Sequence, residues 1–269
     1  MFEFKDNPDL KNIIELRNIN QSYDGGQSFV LKDLDLIIED KPEQGQFVCI
    51  LGPSGSGKST VLRFIANLQK PTSGDVLING VPVSEETRVS MVFQQYSSLP
   101  WMTVLDNVSL ALKFKGLNKK DRDEQAMEMI KLVGLEGHHK KYAQYPALSG
   151  GQLQRVAIAR SLLANSKIIL MDEPFGALDI RTRLQMQDLL EDLWLKFKPT
   201  IIFVTHDISE AVYLGDDIYI LKNAPAKFTK HVHVDLPFNR TREVKRQTRF
   251  TELVHHVEDL MVEVQVDHS

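Results

Sequence analysis

The stretch that decides the fold is Gly52-Pro53-Ser54-Gly55-Ser56-Gly57-Lys58-Ser59, which matches the pattern G-x-x-x-x-G-K-[ST]. It follows the apolar run 47–51 and precedes a stretch with helical periodicity. Glycines at this spacing let successive backbone N–H groups converge on phosphate oxygens, and the N-terminus of the next helix adds positive potential. The stretch therefore predicts a strand, a phosphate-binding loop and a helix. Lys58 would reach the β- and γ-phosphates of a nucleotide, and Ser59 would offer a hydroxyl to Mg²⁺.

Two further apolar runs, Ile168–Met171 and Ile201–Val204, do not alternate with polar residues, which is typical of strands covered on both faces in a parallel sheet. The first forty residues favour antiparallel β structure, and Asn79-Gly80 predicts a type I′ turn. The region of about 97–165 is predicted to be mostly helical. The fold class expected is α/β: a phosphate-loop core with a mostly parallel sheet, an N-terminal antiparallel β subdomain and a helical insertion.

Two adjacent acids, Asp172 and Glu173, end one of these apolar runs. Neighbouring side chains of an extended chain point to opposite faces, so the two carboxylates can perform different tasks. We expect Asp172 to hold Mg²⁺, directly or through water, and Glu173 to orient and polarise the water that attacks the γ-phosphate.

The stretch Leu148–Gln152 carries a helix start in which Ser149 and Gln152 form a capping box. Two glycines, Gly150 and Gly151, lie inside this cap and would cost the helix stability. They make sense if the backbone at this helix start must approach another anion closely.

Together with Arg155, this stretch resembles the signature of the ATP-binding cassette (ABC) family. Other family motifs follow in the expected order over residues of about 15 to 225. They are Tyr23, where an aromatic ring stacks on adenine; Gln94 of the lid loop; the dimer-contact loop Pro174–Asp179; and the switch histidine His206.

The resemblance implies a head-to-tail dimer, formed by two copies or by paired cassettes, that takes ATP and Mg²⁺. In such a dimer Ser149, Gly150, Gly151 and Gln152 of one subunit bind the γ-phosphate that the phosphate loop of the other subunit holds. The implied catalytic residues are Glu173, His206 and Gln94, and the implied metal contacts are Ser59, Gln94 and Asp172. The resemblance also implies nucleotide contacts from every residue of the phosphate loop 52–59 and from Thr60, Tyr23 and Asp179.

Apolar residues gather just after the lid loop, around Leu99–Met102. They would either pack inside the helical insertion or form a groove for a short cytoplasmic helix of a membrane permease. The stretch 99–108 resembles ATPase subunits of nitrate, sulfonate and taurine uptake systems. The function expected is therefore ATP hydrolysis for an importer served indirectly by an extracytoplasmic solute-binding protein. The alternative is the cassette of an exporter or of a lipid-trafficking system.

Composition limits the binding partners, the disulfide content and the cellular location that can be expected for the protein. The 269 residues carry a net charge of −4, which argues against a globally cationic nucleic-acid binder. A single cysteine excludes an internal disulfide framework. The sequence shows neither an 18-residue apolar stretch nor the basic-then-apolar form of a secretory signal at its start. These features favour a soluble cytoplasmic protein. The resemblance to ABC ATPase subunits implies that it is attached to the cytoplasmic face of the membrane through the permease.

The chain is expected to divide into a nucleotide-binding domain at 1–225, with its helical subdomain at about 97–165, and a strand-and-helix extension at 226–269. A final strand is predicted at 226–236, followed by a closing amphipathic helix. Five basic residues of the extension are expected to form a solvated helix face: Arg240, Arg242, Lys245, Arg246 and Arg249.

Overall fold

The structure is a computed structural model that describes residues 11–41 and 43–266. Two compact units make up the chain: the first joins Met1–Arg88 to Thr200–Ser269, and the second is Val89–Pro199. The strands are β1 (Asn12–Gln21), β2 (Leu31–Glu39), β3 (Gln46–Leu51), β4 (Ser73–Ile78), β5 (Val81–Pro82), β6 (Ser90–Val92), β7 (Ile168–Asp172), β8 (Thr200–Thr205), β9 (Asp217–Leu221) and β10 (Phe228–His233). The helices are α1 (Lys58–Ile65), α2 (Val104–Phe114), α3 (Lys119–Leu132), α4 (Gly150–Leu163), α5 (Ile180–Phe197), α6 (Ile208–Leu214) and α7 (Thr248–Val266), with a 3-10 helix at Arg242–Arg246.

The first unit contains an antiparallel sheet with strand order β2-β1-β4-β5. In β1 the residues Ile13–Leu16 are buried without alternation, whereas in β2 the buried residues Leu34, Leu36 and Ile38 alternate with less buried ones. The turn between β4 and β5 holds Asn79 at φ 53° and Gly80 at φ 75°, the two positive values that a type I′ turn requires. The predicted antiparallel β subdomain is confirmed.

Parallel strands form the second sheet of the first unit. Here β3 pairs in parallel with both β8 and β9, and β10 lies antiparallel to β9. Every residue of β3 and β8 is buried, as the unbroken apolar runs predict. This sheet places the end of β3, at Leu51, directly before the phosphate loop.

The second unit is mainly helical. It has one parallel pair of strands, β6 and β7. The first of the two acids, Asp172, is the last residue of β7, and Glu173 follows it. Helices α2, α3 and α4 pack against one another and occupy the region predicted to be helical. Helix α3 buries four residues at helical spacing, the last of them at its C-cap: Ala126, Met129, Ile130 and Val133. Gly134, at φ 66°, ends it.

The extension departs from the sequence expectation in two ways. Its strand β10 is shorter than the predicted 226–236, and the predicted solvated basic face includes one residue that is not solvated. Arg242, Arg246 and Arg249 are exposed, but the side chain of Arg240 is only 2% exposed. The prediction for Arg240 is therefore wrong: this arginine belongs to the interior of the first unit.

A charged cluster fastens the extension to the sheet at Asp217, the first residue of β9. Its Oδ1 accepts hydrogen bonds from His231 Nε2 at 2.8 Å and His233 Nδ1 at 3.1 Å, and its Oδ2 lies 3.3 Å from Lys41 Nζ. Burial acts to raise the pKa of Asp217, but the hydrogen bonds from the histidines and the charge of Lys41 outweigh it and hold the pKa well below the usual carboxyl range. The ionised carboxylate therefore stabilises the pairing of β10 with β9.

Replacing this carboxylate should weaken the fold in a way that depends on pH. Because the pKa of Asp217 is lower in the folded chain, its contribution is complete above the unfolded-state pKa and is lost as the pH falls through the folded-state pKa. Asp217→Asn is expected to lower the free energy of unfolding by about 1 to 2 kcal/mol at pH 7, and by less at pH 3. Denaturant unfolding at both pH values measures this, with Asp259→Asn on the exposed face of α7 as the control. An equal loss at both pH values would contradict the assignment.

Candidate functional site

The phosphate loop encloses its own cation. Lys58, the first residue of α1, is buried, and its Nζ donates hydrogen bonds to the carbonyl oxygens of Gly52 at 2.8 Å and Pro53 at 2.9 Å. The ammonium is therefore held within the curl of the loop, at a fixed distance from the start of α1. A cation in this position, beside a helix N-terminus, favours the binding of an anion.

Close packing explains the glycines at both ends of the loop. A Cβ on Gly52 would lie 2.7 Å from the Leu221 carbonyl oxygen and 2.9 Å from Ser56 Oγ. Gly57 caps α1 at φ 90°, and a Cβ there would lie 2.8 Å from Leu31 Cδ2. The loop can therefore take this path only with glycine at both positions.

The other residues of the loop divide into a buried set and an exposed set. Ser54 and Gly55 are exposed, Pro53 and Ser59 are half-buried, and Thr60 is buried. Ser56 is 1% exposed, and its Oγ has no hydrogen-bond partner among the described residues. A buried hydroxyl without a partner costs free energy, which a ligand oxygen at the loop would recover.

Two other predicted residues of the first unit are exposed. Tyr23 lies in the turn between β1 and β2 with 64% of its surface exposed, and its Oη accepts a hydrogen bond from Gln69 Nε2 at 3.0 Å. His206 is exposed directly after β8. Asp207, the next residue, caps α6 by accepting a hydrogen bond from the backbone N–H of Glu210. An exposed ring and an exposed imidazole are both accessible to a nucleotide.

In the second unit, the structure brings Gln94 and Glu173 together. Gln94 Nε2 donates to Glu173 Oε2 at 3.2 Å, while Asp172 is the buried last residue of β7. Glu173 has φ 42°, a left-handed value that costs a non-glycine residue free energy. Strain of this kind is typical of functional sites, because the surrounding structure must hold the residue in place.

The capping box at the start of α4 is confirmed. Ser149 Oγ accepts from the Gln152 backbone N–H at 3.3 Å, and Gln152 Oε1 accepts from the Ser149 N–H at 2.9 Å. The two glycines have a structural reason that the sequence did not show. A Cβ on Gly150 would overlap Tyr96 Oη, and a Cβ on Gly151 would lie 2.6 Å from Thr182 Cγ2. Tyr96 is thus a missed residue of this site, since only the fold shows that it covers the helix start.

Asp179 begins the next helix. Its Oδ1 accepts a hydrogen bond from the Thr182 backbone N–H at 3.0 Å, which caps α5. The hydrogen bonds from Thr182 lower the pKa of Asp179 below its usual value. The carboxylate is exposed and ionised at neutral pH, which suits a residue at a contact between subunits.

The loop after the lid exposes one large aromatic side chain. Trp101 is 70% exposed, whereas Leu99 and Met102 are half-buried, so of the two alternatives for this stretch, packing inside the helical insertion does not apply to Trp101. The loop is braced by Asn107, which is fully buried in α2. The Asn107 side chain accepts from the Leu99 N–H at 2.7 Å and donates to the carbonyls of Leu99, Met102 and Thr103. A single asparagine among the apolar residues of α2 is the sequence signal that could have revealed this brace.

Within residues 11–41 and 43–266, no three or more histidine, cysteine, aspartate or glutamate side chains are grouped so that they could hold a metal ion by themselves. Over the same ranges, no helix has the length and apolar character needed to cross a membrane.

The phosphate loop, the paired acids after a buried strand and the capped glycine pair define a phosphate-loop ATPase of the cassette type. Residues 32–176 match the family model described as ABC transporter. The chain is 40% identical over 257 residues to the nitrate import ATP-binding protein NrtD of Synechocystis, covering 92% of this chain and 94% of that protein. It is 40% identical to the taurine import ATP-binding protein TauB of Pseudomonas savastanoi pv. phaseolicola over 91% and 94% of the two chains. The chain belongs to the ABC transporter family, as an ATP-binding subunit that hydrolyses ATP for transport.

Solved structures agree with this assignment. The dimeric structure of MJ0796, a bacterial ABC transporter cassette, is similar with a TM-score of 0.71 and 37% identity, covering 83% of this chain and all of that one. The post-hydrolysis dimer of that cassette, bound to ADP and phosphate, gives the same TM-score at 36% identity. CbiO1 from Clostridium perfringens, part of the CbiONQ transporter complex, gives a TM-score of 0.72 at 25% identity over 92% of this chain.

Proposed function

We propose that the chain is the ATPase subunit of an importer that takes up a small anion such as nitrate, a sulfonate or taurine with the help of a solute-binding protein. The observation that carries this proposal is the 40% identity, over more than nine tenths of both chains, to proteins named as nitrate and taurine import subunits. Residues 1–225 would form the nucleotide-binding domain, with the helical subdomain at about 97–165, and 226–269 the extension.

For ATP binding, the phosphate loop supplies the phosphate contacts. The loop 52–60 would bind phosphate oxygens through its backbone N–H groups, which every residue except Pro53 has, and through the Lys58 ammonium and the Ser56 hydroxyl. The buried ammonium and the unpartnered Ser56 Oγ support this role. Tyr23 would stack on adenine, and its hydrogen bond from Gln69 restricts the orientation of the ring.

For hydrolysis, Glu173 would accept a proton from the water that attacks the γ-phosphorus, while the bond to the bridging oxygen breaks and ADP leaves. Gln94 orients this carboxylate through the observed hydrogen bond, and the strained backbone of Glu173 limits its alternatives. His206 would donate a hydrogen bond to the γ-phosphate.

The residues expected to bind Mg²⁺ carry donor atoms that suit this ion. Ser59, Asp172 and Gln94 offer a hydroxyl, a carboxylate and an amide oxygen, which are the donor types that Mg²⁺ prefers. The low exposure of Asp172, 7%, strengthens its attraction for a cation. When bound, Mg²⁺ would offset the negative charge that develops on the phosphate oxygens.

Two subunits would share each site. Two of the similar structures, both of the cassette MJ0796, are dimers, which supports the head-to-tail arrangement that the signature implies. Ser149–Gln152 of one subunit would then bind the γ-phosphate held by its neighbour, and Asp179 would lie at the contact between them. Bound ATP would join the two subunits, and hydrolysis would release them.

The permease would bind at the Leu99–Met102 loop, on the cytoplasmic face of the membrane. The exposed Trp101 on a loop braced by Asn107 supports this proposal, because rigid exposed aromatic residues are favoured anchors at protein interfaces. Closure of the dimer would then move the permease helices.

Glu173→Gln should separate ATP binding from ATP hydrolysis. The substitution keeps the side-chain volume but removes the proton acceptor, so kcat is expected to fall by about 10² to 10⁴-fold. ATP affinity should stay within about twofold, and ATP should shift the variant to a dimer in size-exclusion chromatography. Glu128→Gln, on the exposed face of α3, is the control. Turnover at the wild-type rate would remove Glu173 from catalysis.

Mixing two inactive variants should restore activity if the sites are shared. Ser149→Arg damages the signature and Lys58→Ala damages the phosphate loop, so each variant alone should be inactive. A mixed dimer keeps one site intact, and equal amounts should regain about a quarter of wild-type ATPase activity, because half of the dimers are mixed and each has one of two sites. Mixed dimers that form yet remain inactive would contradict the shared-site arrangement.

Trp101→Glu should weaken membrane attachment without affecting ATP binding. The purified wild-type chain is expected to sediment with inside-out membrane vesicles from cells that produce it, and Trp101→Glu should reduce the bound fraction at least about tenfold. Phe114→Glu is the matched control, since Phe114 is 82% exposed at the far end of α2. Equal loss in both variants would show that general charge, and not the Trp101 loop, governs attachment.

A further inference from the structure

One buried arginine of the extension is fully engaged with the helix that follows His206. Arg240 Nη1 donates to the carbonyl oxygens of Tyr213 at 3.2 Å and Gly215 at 2.7 Å, and Nη2 lies 3.1 Å from Asp216 Oδ1. Its Nε donates to the Pro237 carbonyl at 3.1 Å, which fixes the side chain to its own segment. The side chain is 2% exposed, so these hydrogen bonds offset the desolvation of the guanidinium and hold it at the end of α6.

The guanidinium acts as a C-terminal cap for α6. The last carbonyls of a helix lack partners within the helix and carry partial negative charge. Arg240 supplies both hydrogen bonds and positive charge to this end, from a position 25 residues beyond Gly215 in the chain. Gly215 is also closely packed: a Cβ there would lie 2.9 Å from Cys49 Sγ on β3. The end of α6 therefore has little freedom to shift.

The other end of α6 is fastened to β8 on either side of His206. Thr205 Oγ1 donates to Glu210 Oε2 at 2.6 Å and accepts from the Asp207 backbone N–H at 3.1 Å. Asp207 caps the helix. Since α6 has only seven residues, a shift at its C-terminal end is transmitted to the His206 segment instead of being absorbed along the helix.

The extension holds α6 through a second contact. Lys245 Nζ lies 4.1 Å from the centre of the Tyr213 ring, and Tyr213 is buried in α6. Helix α7 packs against α6 as well. The extension thus contacts α6 at its C-terminal end and along its length, while the other end carries His206.

We propose that Arg240 is a positioning residue for His206, so that the extension sets the rate of ATP hydrolysis and leaves ATP affinity unchanged. This inference rests on the proposed role of His206 at the γ-phosphate. Small displacements of a catalytic group can cost up to about 100-fold in rate, so a loosened α6 is expected to reduce kcat without reducing affinity.

The test is a double-mutant cycle between Arg240 and His206. Arg240→Ala should lower kcat about 10-fold or more and leave the Kd for ATP within about twofold, while His206→Ala should lower kcat further. The double variant should match His206→Ala alone, because Arg240 has nothing to position once the imidazole is gone. Arg246→Ala is the control, since Arg246 is exposed and paired only with Glu243 among the ion pairs described.

Two further readouts separate positioning from a loss of folding. Arg240→Lys keeps a charged donor at the end of α6 and should recover part of the lost kcat, and it replaces Arg240→Ala in the cycle if the latter does not fold. Both the wild-type chain and the Arg240→Ala variant are labelled at histidine. The His206 imidazole resonance should differ between the two proteins, and the resonances of His138 and His139 should not. The proposal fails if the two losses in kcat multiply in the double variant, if the Kd for ATP rises with kcat unchanged, or if the His206 resonance stays in place. Unchanged kcat in His206→Ala would instead overturn the proposed role of His206.

Discussion

The whole structure depends on one constraint: the backbone between β3 and α1 must curl tightly enough to enclose the Lys58 ammonium. A buried strand delivers the chain to the edge of a sheet, and Gly57 turns it into a helix at a φ value that a side chain would oppose. Burying the ammonium is tolerable because two loop carbonyls accept its hydrogen bonds. Leu31 of the antiparallel sheet and Leu221 of the parallel sheet close around Gly57 and Gly52, so both sheets of the first unit are needed to shape the loop.

Hydrogen bonds within the fold also orient two groups outside the phosphate loop. In the second unit the Gln94–Glu173 hydrogen bond and the strained Glu173 backbone fix the orientation of a carboxylate before any substrate is considered. The brace at Asn107 does the same for a surface loop, by meeting the backbone groups of that loop with one buried amide. In both places hydrogen bonds satisfy a polar side chain and leave it few other conformations.

The sequence predicted most of the fold and the local features of the candidate site. Unbroken apolar runs, the Asn79-Gly80 turn and the Ser149–Gln152 box depend on neighbours a few residues apart, and all three were confirmed. Arg240 was misjudged and Tyr96 was missed, because their roles depend on partners brought close by tertiary folding. Asn107 was missed although its partners are near in the chain, at Leu99, Met102 and Thr103. A basic residue among other basic residues carries no local sign of burial, and a tyrosine two positions after a glutamine does not reveal that it will cover a helix start.

The contact between Tyr96 and Gly150 has an evolutionary consequence. Because the tyrosine hydroxyl occupies the space where a side chain at 150 would grow, any replacement of the glycine is opposed as long as the ring stays in this place. The reverse order meets no such obstacle: a smaller residue at 96 would first open the space. A substitution at position 150 therefore depends on the residue at position 96, because the ring of Tyr96 must move aside or be replaced for a side chain at 150 to fit.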